Sequence, residues 1–208
     1  MEIEYVNGYW VPANDIHIES WKSGQPFTQN KGLEKFKEYL ERKDLHFKTV
    51  LDVGAWCGTW AKMMSEHCHK IVAFEPDPTH YECLTKNVGM DVETHQLAVG
   101  SESKLISLNS DRHTQSKRVV GTGDIPMITL DSLQIEDADL IKIDVEGLEM
   151  QVLEGAKQTL NKAQFIMIEL NNNSKKYGSS NGHIEEYLDS IGWKELMNHW
   201  PDKVFVKK

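Results

Sequence analysis

A chain of 208 residues with a net charge of -9, 39% hydrophobic and 26% charged, can bury an ample core and lacks the basic balance that non-specific nucleic-acid binding needs. No apolar run reaches the roughly 18 residues of a membrane helix, and the acidic start Met1 to Glu4 has neither the basic nor the apolar part of a secretory signal. Three cysteines, Cys57, Cys68 and Cys83, make no disulfide framework, so the composition fits one α/β domain in a reducing, cytoplasmic setting.

Residues 1–48 read as an N-terminal extension. Tyr5 to Trp10 (YVNGYW) sets Asn7-Gly8 between apolar pairs, the chemistry of a type I′ hairpin turn. Trp10, Trp21 and Phe27 follow at irregular spacing among Pro, Gly and Asn, in a stretch that could pack on the core or cap a cleft. Gly32 to Arg42 has helical period, with Leu33, Phe36, Tyr39 and Leu40 on one face.

From 49 to 208 strands and helices alternate. Thr49 to Val53 is a buried strand that breaks into a turn with glycines at 54 and 58, and Thr59 to His67 reads as its helix. Ile71 to Phe74 is a second strand, ended by Glu75-Pro76, and Asp77-Pro78 carries the capping carboxylate and proline of a helix start. Val92 to Val99 is expected as a third strand. Lys104 to Leu108 and Met127 to Leu130 are expected to flank a polar loop, 109–123, of a length that often serves binding. Leu140 to Val145 is a central strand with its helix at Glu146 to Leu160. Phe165 to Leu170, a helix from His183 to Ile191, and an antiparallel pair at 193–197 and 203–206 complete the chain. Such βα units imply a mainly parallel sheet with helices on both faces.

Ligands of such sheets bind beyond the carboxyl ends of the strands, which here carry Asp52, Glu75, Ala98, Asp144 and Glu169. Nicotinamide dinucleotides and S-adenosylmethionine both use an acid such as Glu75 for ribose hydroxyls. The first turn separates them. A dinucleotide wants G-x-G-x-x-G for its pyrophosphate, whereas Gly54-x-x-x-Gly58 has a tryptophan at 56. Asp52 would repel a pyrophosphate and suits the ammonium of S-adenosylmethionine, directly or through water. Taken singly, Asp52 and Glu75 could each be a mere cap on the element that follows.

Ile141 to Gly147 (IKIDVEG) alternates, with Lys142, Asp144 and Glu146 on one side of a strand otherwise suited to full burial. Three charges there must serve a ligand or one another, as an internal ion pair.

The runs LDVGAWCG (51–58), VAFEPDP (72–78), LAVG (97–100), ITLDSL (128–133), DLIKIDVEGLEMQVLEGA (139–156) and FIMIEL (165–170) together resemble the FkbM-type methyltransferases, a branch of the class I S-adenosylmethionine-dependent enzymes. The resemblance implies a Rossmann-like seven-stranded sheet with a C-terminal antiparallel strand, and O-methylation of a saccharide or natural-product-like small molecule. It implies that Asp52, Gly54, Ala55, Trp56 and Gly58 frame the methionine end of the cofactor. Glu75 and Pro76 would then lie by the ribose and Ala98 and Val99 by the adenine, with Lys142, Asp144 and Glu146 facing the transfer site. The chain departs from the family pattern at Trp56, where a small polar residue is common, and at Ser101, where an acid is.

An alcohol is a weak nucleophile, so a base is required. Asp144 or Glu146 is the expected base, tuned by Lys142, and His113 in the polar loop is a second candidate. Asp144, Glu146 and Glu169 offer oxygens of the kind Mg²⁺ takes, although the spacing demands no metal. Glu66 to His69 (EHCH) lacks a second Cys/His pair at zinc-finger spacing. An amine or peptide acceptor, and a non-catalytic S-adenosylmethionine-binding module, are the alternatives. No nucleic-acid or membrane partner is expected.

Overall fold

The computed structural model describes residues 2–26, 31–109 and 117–208. Its centre is a seven-stranded sheet of β3 (Phe47–Val53), β4 (Cys68–Phe74), β5 (Val92–His95), β9 (Ala138–Ile143), β10 (Phe165–Glu169), β11 (Trp193–His199) and β12 (Asp202–Lys207). The spatial order is β11-β12-β10-β9-β3-β4-β5, and only β12 pairs antiparallel to its neighbours. The aliphatic runs form these strands because both faces are covered. Period-two alternation sorts the side chains. Leu51, Val53, Ile141, Ile143, Ile166 and Ile168 face a layer built from α5 (Glu149–Glu154), α6 (Lys157–Lys162) and α7 (Asn181–Ser190). Val50, Leu140, Phe165 and Met167 face α2 (Lys31–Lys43), α3 (Thr59–Met64) and α4 (Pro78–Asn87).

β3 sits between β4 and β9, with Asp52 beside Ala73 on one side and Lys142 on the other. That register aligns the carboxyl ends of the three strands on one edge. Asp52 and Lys142 share the face that Val50 and Leu140 occupy, two residues on in each strand.

The N-terminal hairpin forms as its turn chemistry requires. β1 (Ile3–Val6) pairs with β2 (Tyr9–Pro12), and Asn7 and Gly8 take φ of 48° and 87°. A short α1 (Ile18–Lys22) follows.

Five expectations need correction. The strand at 92–99 divides: β5 ends at His95, and β6 (Ala98–Val99) joins a separate sheet with β7 (Lys104–Leu108) and β8 (Val119–Ile128), in the order β6-β8-β7. The loop at 109–123 is shorter than expected, because β8 (Val119–Ile128) pairs with β7 (Lys104–Leu108) from Val119 onward. Leu130 belongs to a 3-10 turn, Leu130–Leu133, rather than to that strand. The helix at 146–160 is two helices. Its start is delayed by positive φ at Glu146 (55°) and Gly147 (118°), and it breaks at Gly155, where a Cβ would stand 2.0 Å from the Gly100 carbonyl oxygen. The helix after the first turn also tightens early, into a 3-10 turn at Ser65–His67. No helix among the described residues is long and apolar enough to cross a membrane.

Candidate active site

A cavity of about 300 Å³ opens at the carboxyl edge of the sheet. Its floor is the turn after β3. Gly54 has φ of 80°, and a Cβ there would lie 1.8 Å from the Asp144 carbonyl oxygen, so the residue must be glycine. The Gly54 and Ala55 amides both donate to the Phe74 carbonyl oxygen, at 3.0 and 2.9 Å, tying the turn to β4. Trp56 then takes a positive φ of 48° and donates its amide to Glu75 Oε2 at 2.9 Å.

Glu75 is buried at the end of β4 and is fixed from three directions. Besides Trp56, the Asp77 amide donates to Oε1 at 2.9 Å, and His80 Nδ1 lies 3.4 Å from the same oxygen. Asp77 caps α4 through the Thr79 and His80 amides, at 2.9 and 3.1 Å. Glu75 therefore both scaffolds the α4 entry and lines the cavity. Oε2, which takes only the Trp56 amide, keeps a lone-pair direction for a further donor.

Lys142 is the buried cation of the site. Its Nζ donates to the Gly54 carbonyl oxygen at 2.6 Å and lies 3.0 Å from Asp52 Oδ1 and 3.5 Å from Asp144 Oδ2. Burial pulls the Lys142 pKa down, but Asp52 and Asp144 outweigh it, so the net shift is upward and the ammonium stays charged.

Across the cavity stands an acidic wall of Asp144, Glu146, Glu169 and Asp202. Burial, with Asp144 and then Glu149 adding repulsion, pushes Glu146 up to about 7. Its Oε2 accepts from Asn173 Nδ2 at 2.7 Å. Glu169 is pushed up to about 9, by burial first and then by Asp144 and Glu146. Asp144, Glu146 and Glu169 each present an oxygen within 4.8 Å of the others. Leu97, Ala98, Val99 and Leu148 give the cavity an apolar side.

A family model described as the methyltransferase FkbM domain matches residues 46–195. The chain belongs to the FkbM methyltransferase family. The hexuronic acid methyltransferase AglP of Haloferax volcanii is 29% identical over 180 residues, which span 81% of this chain and 73% of that protein. Among solved structures, the N-methyltransferase NodS of Bradyrhizobium japonicum, in complex with S-adenosyl-L-homocysteine, matches with a TM-score of 0.52 at 11% identity, over 90% of this chain and 91% of its own. A human methyltransferase 10 domain containing protein matches with a TM-score of 0.52 at 9% identity, over 88% and 83%. These two likenesses concern the Rossmann-like methyltransferase fold, which the strand order of this FkbM domain shares.

Most residues singled out from the sequence converge on the cavity: Gly54, Ala55, Trp56, Glu75, Pro76, Ala98, Val99, Lys142, Asp144 and Glu146 all line it. Asp52 and Gly58 do not. Asp52 is fully buried beneath the turn and faces Lys142, so a direct contact with a ligand's ammonium does not fit its placement. Gly58, with φ of 78°, caps the start of α3, where a Cβ would stand 2.6 Å from Leu84 Cδ1. His113 and Phe27 lie outside the described residues.

Four residues of the site escaped the sequence reading: His80, Lys117, Asn173 and Asp202. His80 was legible only as the third residue of a helix. Asp202 opens β12, the antiparallel strand, so its start rather than its end falls on the carboxyl edge, opposite Glu169. The lone antiparallel strand was the signal available.

Proposed function

We propose that this FkbM domain is an S-adenosylmethionine-dependent O-methyltransferase acting on a hydroxyl of a saccharide or a related small molecule. The observation that carries the reading is a carboxyl wall holding Glu146 near 7, set in one cavity with the Gly54–Glu75 turn. The residues present suit the donor. Glu75 can accept from ribose hydroxyls, Leu97, Ala98 and Val99 offer an apolar face for a flat base, and an acidic wall favours a sulfonium. When bound, the donor supplies an electrophilic methyl group.

The chain's own residues supply the rest. Glu146, titrating near neutral pH, takes the proton from the acceptor hydroxyl. Lys142 Nζ, 3.5 Å from Asp144 Oδ2, holds that side chain in place beside it. Glu169, protonated at neutral pH, can donate to an acceptor oxygen. The likeness to AglP supports a saccharide acceptor. The net charge of -9 and the acidic wall disfavour RNA. That same wall would hold an ammonium, which makes an amine acceptor the second reading.

A thermal-shift titration with S-adenosylmethionine, S-adenosylhomocysteine and NAD tests the donor. Stabilisation by NAD alone would overturn the proposal. Radiolabelled methyl transfer to a panel of neutral, uronic and amino sugars then tests the acceptor. Label appearing only on amino nitrogens would replace the first reading with the second.

A further inference from the structure

Trp56 combines two properties. It lines the cavity, and it holds a left-handed φ of 48° that a bulky residue avoids. Such a conformation persists only where the surroundings over-determine it. Part of what holds it is inside the domain, namely the Glu75 carboxylate on its amide. Further support comes from residues 2–26, none of which lines the cavity.

Two separate routes join that segment to the turn. The first is aromatic. The Trp56 ring stands between Trp21 of α1, at 5.8 Å, and His80 of α4, at 6.3 Å between ring centroids. Trp21 is buried, and its carbonyl oxygen accepts from the Asn7 side chain at the hairpin tip. The second route is a hydrogen-bonded bolt. Asn87, the last residue of α4, accepts from the Trp10 amide at 2.7 Å and donates to the Trp10 carbonyl oxygen at 2.8 Å. The same amide nitrogen donates to the Cys57 carbonyl oxygen at 2.8 Å. Cys57 itself is packed with Val6, Val11, Ile18, Trp21 and Cys83. Both routes end on adjacent residues of the turn, 56 and 57.

We infer that residues 2–26 are a buttress that holds the donor turn in its binding conformation, and that Trp21 and Asn87 are positioning residues for S-adenosylmethionine. The inference rests on the donor assignment above. The segment does not roof the cavity. It braces the turn through Trp56 and Cys57.

Calorimetric titration of the full chain with S-adenosylhomocysteine, alongside thermal melts, provides the test. Wild type is measured first, and no binding there would overturn the donor assignment and the buttress together. With wild-type binding in hand, Trp21→Ala and Asn87→Ala should each weaken affinity about tenfold, and Trp21→Phe should restore most of it. At saturating donor kcat should stay near wild type. Glycine carries no penalty at positive φ, so in a Trp56→Gly background the Trp21→Ala effect should shrink to about twofold. A melting temperature that falls with affinity unchanged would overturn the inference. So would an equal loss in both backgrounds.

Discussion

Asp52 and Lys142 lie directly opposite in the parallel register of β3 and β9, with 3.0 Å between Oδ1 and Nζ, and neither side chain is more than 9% exposed. Asp52 stands beneath the turn while Lys142 lines the cavity, and the same ammonium reaches the Gly54 carbonyl oxygen. A charge that could have met a ligand is thus matched internally, and it also fixes the turn that lines the cavity.

Removing one partner should be worse than removing both. Lys142→Met leaves Asp52 buried and unpaired, at a cost of about 3–5 kcal/mol. Asp52→Asn combined with Lys142→Met should recover much of that loss. Urea unfolding of the two variants measures the difference, and a single variant less than about 1 kcal/mol below wild type would contradict the pairing.

Glu146 should govern the pH profile. A carboxyl near 7 must lose its proton before it can act as a base, so kcat/KM should rise with pH through about 7. Glu146→Gln should lower kcat by about 10²–10⁴ and abolish that rise, with donor affinity near wild type. Asp144→Asn should also cut turnover without loosening the donor. Full turnover in Glu146→Gln would remove that residue from the role.

Glu169 should make stability fall with pH. Its pKa is raised from 4.5 to about 9 in the folded protein, so the native state holds a proton that the unfolded chain has already released. Stability from this group is complete below about 4.5 and is lost as pH rises toward 9. Glu169→Gln should flatten that slope, making the variant the more stable protein at pH 9. Melting temperatures of both proteins across pH 5 to 9 decide it.

Gly54→Ala should be among the most damaging single changes. The added Cβ meets the Asp144 carbonyl oxygen at 1.8 Å in a backbone conformation with φ of 80°. Relief requires β3 and β9 to separate at their ends, so a loss of more than about 2 kcal/mol is expected, together with loss of donor binding. A melting temperature equal to that of wild type would show that the turn can relax.

The sequence was most legible where burial is two-sided. The runs 49–53, 71–74, 140–145 and 165–170 read as buried strands, and the last two end at Ile143 and Glu169 in the fold. It was least legible where the period breaks. Val119 to Ile128 carries two glycines, a proline and two register shifts against β7, so neither strand period nor loop composition prevails. Ala98 and Val99 look continuous with β5, and only tertiary pairing with Met127 and Ile128 moves them to another sheet. Gly155 ends α5 where the backbone passes close to Gly100, an approach that no local pattern encodes.

The base of the β7–β8 arm closes on the pair Leu108 and Val119, both of which line the cavity, and just beyond it the Asn109 amide donates to the Arg118 carbonyl oxygen at 2.8 Å. The seven-stranded sheet shares no strand with this arm. Leu108 and Val119 therefore reach the cavity from an arm that can be altered without touching a strand of the central sheet.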